Sequence, residues 1–226
     1  MSQPFYVAPE QVMKDRADYA RKGISRGRSL IGSTYQEGVV VCAENTSNTL
    51  RKVSEIYDRI AFAGVGKYNE FDKLRIAGVR HADLKGFSYS RADVDARSLA
   101  NQYANMLGQV FTHEMKPMEV EILVAEIDED DADSDQLFRI LYDGSVTDHG
   151  DYVVLGGDSD AIRERIAENW SADASLATVL KLLVEALAGD ERELFADDLE
   201  VAVLARGERR RTFRRIEGEE LVALLK

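Results

Sequence analysis

The sequence of 226 residues predicts an α+β fold: a four-layer αββα sandwich of two antiparallel sheets flanked by helix pairs, with an extra N-terminal helix. Three observations predict it. The periodic segments run helix, strands, two long helices, strands, two helices, strands, which is not the βαβ alternation of a parallel sheet. The runs 39–43, 120–127 and 199–204 are almost continuously apolar, as strands covered on both faces are. No repeat and no Pro- or Gly-rich linker divides the chain, so residues 1–28 read as an N-terminal segment and 29–226 as the sandwich domain.

The first helix starts at Pro9, where a missing N–H costs nothing. Glu10 and Asp15 lie toward its start and Arg21 and Lys22 toward its end, complementing the helix dipole. Gly23 and Gly27 offer stops, and Val12, Met13, Arg16, Tyr19 and Ala20 form a narrow stripe. So short a terminal helix frays unless held, and neighbouring subunits are expected to hold it. Ser29–Ser33 and Gly38–Glu44 read as a hairpin turned at Tyr35–Gly38, then Lys52–Ile56 and Ile60–Val65 as a second pair turned at Tyr57–Arg59. Helical spacing runs from Tyr68 to about Leu84, and again from Arg91 to Glu114 with Ser90 as candidate N-cap. Lys116-Pro117 ends that helix. Strands return at Val120–Ile127, Leu137–Tyr142 and Tyr152–Leu155. Asp158 or Ser159 caps a helix to about Trp170, and Ser175 caps another that stops at Gly189. Strands at Leu199–Leu204 and Thr212–Ile216 and a terminal helix at Glu219–Leu225 complete the chain.

Composition excludes several functions. A net charge of −12 argues against non-specific nucleic-acid binding. The charge is uneven, with seven acids and no base in residues 126–135 and six arginines with one acid in 206–215. The arginine run reads as a basic turn that meets acidic surface on a neighbouring subunit. The single Cys42 cannot form an intrachain disulfide, and no apolar stretch reaches a membrane span. With no apolar signal region at its start, the chain is expected to be cytoplasmic and without membrane contact. Asp131, Asp133 and Asp135 have calcium-loop spacing, but Gln136 and Tyr142 stand where that loop needs Gly and Glu, leaving a solvated hairpin tip. His81, His113 and His149 lack metal spacing, and Gly156-Gly157-Asp158 lacks the phosphate-loop pattern. No cofactor is expected.

A set of segments, in this order and spacing, carries a resemblance. These are Ala8-Pro9-Glu10 with Tyr19-Ala-Arg-Lys-Gly23, Lys52-Val-Ser-Glu-Ile-Tyr-Asp58, Gly66-Lys-Tyr-Asn-Glu-Phe-Asp72, Lys116-Pro-Met-Glu-Val-Glu121, Tyr142-Asp-Gly-Ser145 and Leu199-Glu-Val-Ala-Val203. Over nearly its whole length the chain resembles proteasome α subunits of the actinobacterial type. The resemblance implies the sandwich of the N-terminal-nucleophile hydrolases and a heptameric ring of identical copies stacked on β subunits that carry the peptidase activity. It implies a gated entrance pore, an ATPase ring activator that docks by its C-terminal tails, and unfolded, tagged protein substrates in transit.

The resemblance also assigns residues. Related β subunits use an N-terminal threonine whose own amine is the base. Glu44 and Lys52 match that site's acid and lysine, but the nucleophile's place falls near Arg28, so no catalytic residue is expected. The alternative is a threonine-type peptidase or other N-terminal-nucleophile amidohydrolase in precursor form, freed at Ser29, Ser33 or Thr34. A third class is a free-standing protein of the same fold. Lys52 is either a surface lysine paired with Glu44 or Asp58, or the residue that receives an activator tail's carboxylate between adjacent subunits. Gly27 lines that pocket, Met13 supplies a wall, and Lys67 replaces an apolar residue. The gate residues implied are Phe5, Tyr6, Pro9 and Tyr19, although Phe5-Tyr6 lacks the Asp found in archaeal and eukaryotic relatives. Met115 and Lys116 are implied at the pore constriction.

Overall fold

A computed structural model describes residues 8–47, 49–128, 134–207 and 209–226. Two five-stranded sheets form the centre. The first has the order β10-β9-β2-β1-β8, built from β1 (Leu30–Tyr35), β2 (Gly38–Glu44), β8 (Tyr152–Leu155), β9 (Leu199–Ala205) and β10 (Phe213–Ile216). The second has the order β3-β4-β5-β6-β7, built from β3 (Val53–Tyr57), β4 (Ile60–Gly66), β5 (Val120–Glu126), β6 (Gln136–Ile140) and β7 (Val146–His149). Every strand pairing is antiparallel. The helices are α1 (Pro9–Ile24), α2 (Tyr68–Ser88), α3 (Ala96–His113), α4 (Ser159–Ala167), α5 (Leu176–Ala188) and α6 (Gly218–Leu225).

Residue parity sorts each inner strand between two cores. On β2, Val39, Val41 and Ala43 meet Ala63, Val65 and Leu123 between the sheets. Val40 and Cys42 of the same strand face Leu180, Leu183 and Leu187 of α5. On β5, Val124 faces Leu99, Tyr103 and Leu107 of α3. Both faces of both sheets are therefore covered, and the continuous apolar runs follow from that.

The differences from the sequence expectation have local causes. Strand β7 was not expected: three of its four residues are exposed, and Thr147, Asp148 and His149 give no apolar signal. Helix α3 begins at Ala96, with Asp95 as its N-cap accepting from Ser98 N–H at 2.7 Å. Ser90 instead caps a single 3-10 turn at Arg91–Asp93. Helix α4 stops at Ala167, and α6 adds buried Leu221 to the layer of α4 and α5.

Helix α1 is seated by its own chain at its C-terminal half. Ala20 and Ile24 are buried in the core between the sheets. Arg16 stacks over Phe111 at 5.8 Å, and its guanidinium donates to the Val110 carbonyl at 3.3 Å and to the Glu114 carbonyl, satisfying groups that end α3. Neighbours are thus not needed to hold this half, while Val12, Met13 and Tyr19 remain exposed. The arginine run likewise finds acids within its own chain. Arg206 pairs with Asp135, Arg210 with Asp58 at 2.8 Å, Arg211 with Glu55 at 2.9 Å, Arg214 with Glu220, and Arg215 with Glu200 at 2.7 Å. Arg210 and Arg211, just before β10, reach Asp58 and Glu55 on or beside β3, and Arg206, just past β9, reaches Asp135 just before β6, so three of these pairs tie the two sheets together.

Where α2 crosses α3, Gly78 admits the hydroxyl of buried Tyr103, and a Cβ there would lie 1.7 Å from that oxygen. Gly78→Ala gains helix propensity of about 1 kcal/mol, yet the overlap forces a shift that costs about 1–3 kcal/mol. Urea unfolding should show a net loss for Gly78→Ala, and a net gain would contradict this packing.

Candidate functional site

The turn from α1 into β1 meets the end of β2 and the start of β3 at one end of the sandwich. Glu44, the last residue of β2, is buried there. Its Oε1 accepts from the Arg28 guanidinium and from Arg192 at 3.0 Å, and Oε2 accepts from Arg192 at 3.3 Å. Arg192 also donates to the Leu187 carbonyl at 2.7 Å, satisfying the end of α5. Two half-exposed guanidinium groups thus neutralise one desolvated carboxylate. A cleft of about 610 Å³ opens beside them, lined by Arg28, Glu44, Gly157, Arg165, Gly189 and Arg192.

The nearby hydroxyls are engaged elsewhere. Ser29 is buried against Gly157, where an added Cβ would lie 2.1 Å from the Ser29 Oγ. The Ser33 hydroxyl donates to the Thr34 carbonyl at 3.0 Å and accepts from Trp170 Nε1 at 3.0 Å. Thr34 donates to the Asp151 carbonyl at 3.0 Å. The partners described for these oxygens include no basic side chain or amine, which a nucleophile requires.

Lys52 directly precedes β3 and is half-buried. Its Nζ donates to the Arg28 carbonyl at 2.6 Å. Asp58 is not its partner: that carboxylate is held by Arg91 at 2.6 Å and Arg210 at 2.8 Å. Burial pulls the Lys52 ammonium down to about 8, against the opposing charges of Glu44 and Glu200, with Arg28 reinforcing the fall. Gly27 packs directly on the end of β4, and a Cβ there would lie 2.9 Å from Val65 Cγ1 and 3.1 Å from the Gly66 nitrogen. Gly27, Arg28 and Lys52 therefore come together. Met13 does not join them within one chain, since it stands roughly 16 Å back along α1 from Ile24 at 1.5 Å per residue.

Four charged groups gather between α1, α2 and the approach to β5. Lys116 Nζ bridges Glu70 and Glu119, both at 2.8 Å. Lys67 lies 3.8 Å from Glu70 and 4.0 Å from Glu119. Burial works against the Lys116 charge, but its hydrogen bonds to Glu119 and Glu70 outweigh that and raise its pKa. The Tyr19 ring, 50% exposed, lies 5.5 Å from the Lys116 ammonium. Met115 projects fully into solvent while Lys116 turns back onto the carboxylates. Pro9 is the exposed first residue of α1. Phe5 and Tyr6 lie outside the described residues, as do Asp131 and Asp133.

Sequence reasoning missed Glu200, Arg192, Glu70 and Glu119. Only Glu200 leaves a local signal, as an acid within the apolar run Leu199–Leu204. Among the described residues no His, Cys, Asp or Glu group could hold a metal ion, and no helix is long and apolar enough to cross a membrane.

Fold and site together define a four-layer αββα sandwich protein with an arginine at the start of its first strand and an ordered helix leading into it. Comparison with known proteins gives the family. The sequence profile described as "Proteasome subunit" matches residues 24–204. A protein named Proteasome subunit alpha from Acidimicrobium ferrooxidans is 62% identical over 221 residues, covering 98% of this chain and 95% of its own length. Its namesake from Kineococcus radiotolerans is 53% identical over 234 residues, covering 100% and 98%. The chain belongs to the proteasome subunit family, and its similarity is to α subunits from actinobacteria.

The state of Lys52 can be read through stability. An unfolded lysine titrates near 10.5 and Lys52 near 8, so between these values the unfolded chain binds the extra proton. Stability relative to Lys52→Met should therefore rise with pH across that window. A constant difference between the two proteins in urea titrations would show that Lys52 behaves as an ordinary surface lysine.

Proposed function

We propose that this chain is a non-catalytic α-ring subunit of the proteasome core particle, forming the gated substrate entrance, scaffolding β-ring assembly and docking an ATPase activator. The observation that carries this reading is Arg28. The resemblance implies the family's nucleophile near this residue, whose guanidinium is committed to buried Glu44. No hydroxyl nearby has a base among its described partners. Chemistry would need a peptide cut at Ser29, Ser33 or Thr34, and all three are buried. Purified chain is expected to keep its original N-terminus and to be inert toward peptides without β subunits. Peptide cleavage with a new terminus at one of those hydroxyl residues would establish the alternative, a precursor peptidase.

The activator role rests on Lys52. An ammonium held at the mouth of a backbone-lined corner suits one tail carboxylate as a point charge. Met13 is too far along α1 to wall this corner in its own chain, which fits a pocket completed by the next subunit of a ring. The exposed face of α1, with Val12, Met13 and Tyr19, supports the same packing. The mechanism is then steric: residues before Pro9 converge on the ring axis, and a tail that binds better when they are displaced shifts that equilibrium. The resemblance implies Met115 and Lys116 at the constriction; Met115 projects into solvent and Lys116 is held by Glu70 and Glu119. Lys52→Ala should leave ring assembly intact, by native mass, and abolish activator-stimulated degradation. Unchanged stimulation would remove Lys52 from the mechanism.

A further inference from the structure

Glu200 lies within β9 and is only 3% exposed. An ionised carboxylate at that depth must be matched by hydrogen bonds. Its Oε2 accepts from Lys52 N–H at 2.7 Å and Asn45 Nδ2 at 2.8 Å. Its Oε1 accepts from Arg215 at 2.7 Å and Val53 N–H at 3.2 Å. Two of the four donors belong to the connection from β2 to β3, and a third, Val53, opens β3. The fourth, Arg215, also donates to the Val53 carbonyl at 2.5 Å. Asn45 reaches back to the Leu50 carbonyl at 2.8 Å, closing the loop on itself.

These bonds fix the Lys52 main chain on both sides. Its N–H goes to Glu200, and its carbonyl accepts from Gly64 N–H at 3.0 Å. The side chain then ends on the Arg28 carbonyl. Glu200 pairs with Ala43 across the β2–β9 ladder and Leu199 with Glu44. The two buried acids therefore leave the first sheet on opposite faces: Glu200 toward the second sheet, Glu44 toward α5. The charges that face the ammonium are Glu44 from β2, Glu200 from β9 and Arg28 from the α1–β1 turn, with Arg192 behind Glu44 and Arg215 behind Glu200.

We propose that Glu200 is a positioning residue for carboxylate docking at Lys52: it fixes the backbone from which the ammonium projects and so sets where that charge stands. This rests on the docking role proposed for Lys52. Glu200 also supplies one of two negative charges that favour the ammonium in its half-buried place. In Glu200→Gln, one side-chain oxygen becomes an NH₂ that faces two donors, so one pair of bonds opens and Arg215 loses its counter-charge.

The test uses the full chain assembled with β subunits and two readouts. The first is the pH profile of Lys52 acylation by an amine-specific reagent, read by peptide mass spectrometry, with Lys67 and Lys116 as internal controls. The second is binding of a synthetic peptide with a free α-carboxylate, against its C-terminally amidated twin. Glu200→Gln should move the Lys52 midpoint to lower pH and weaken binding of the free-carboxylate peptide by about tenfold. Lys67 and Lys116 should react as in the wild type, and native mass should be unchanged. Asn45→Ala, which removes one donor on the half-buried side of the loop, should shift both readouts in the same direction by less. Wild-type profile and affinity in Glu200→Gln would overturn the proposal, as would equal acceleration of all three lysines. If Glu200→Gln fails to assemble, Asn45→Ala decides by the same criteria. Wild-type peptide binding by Lys52→Ala would instead defeat the docking role, and the acylation profile alone would then decide whether Glu200 positions Lys52.

Discussion

Coverage of both sheets on both faces governs this molecule. Once helices lie outside each sheet and the sheets face each other, the inner strands have no solvated face on which to carry polar groups. Charge is pushed to the strand ends. Glu44 closes β2 and Glu200 stands second in β9, and both are buried. Neither can stay ionised there without donors brought from elsewhere in the chain. Arginines and loop N–H groups supply them.

That requirement shapes one end of the fold. Satisfying Glu44 draws Arg28 and Arg192 together at the corner between the α1–β1 turn and the end of α5. Satisfying Glu200 draws in the β2–β3 connection and places Lys52 over the Arg28 carbonyl. The two acids point to opposite faces of one sheet, and the chain leading from α1 into β1 runs close to both. The corner thus presents a buried carboxylate held by two arginines beside a half-buried ammonium.

Helix α1 shows the same economy. Its buried residues, Ala20 and Ile24, close one end of the core between the sheets, and Arg16 ends α3. Tyr19 rests beside a lysine already bound by two carboxylates. The first residues of α1, 9–15, are all exposed, so displacement at its start need not disturb the domain.

Much was legible in the sequence because it depends on local pattern. The boundaries of β2 and β8, the caps at Ser175 and Asp158, and the αββα layering follow from apolar parity and capping chemistry. Lys52 and Gly27 were named by the resemblance, and the fold brings them to one corner. Strand β7 carries no apolar pattern and was invisible. The sequence could also not assign partners to charges. Arg206 to Arg215 read as a basic patch for a neighbour, yet they pair with Asp135, Asp58, Glu55, Glu220 and Glu200. Lys116, implied by the resemblance at the pore constriction, is bridged to two carboxylates. Periodicity reports which face of an element is buried, a property of each segment alone. An ion pair is set by distances between segments far apart in the chain, and only the packed tertiary structure fixes those.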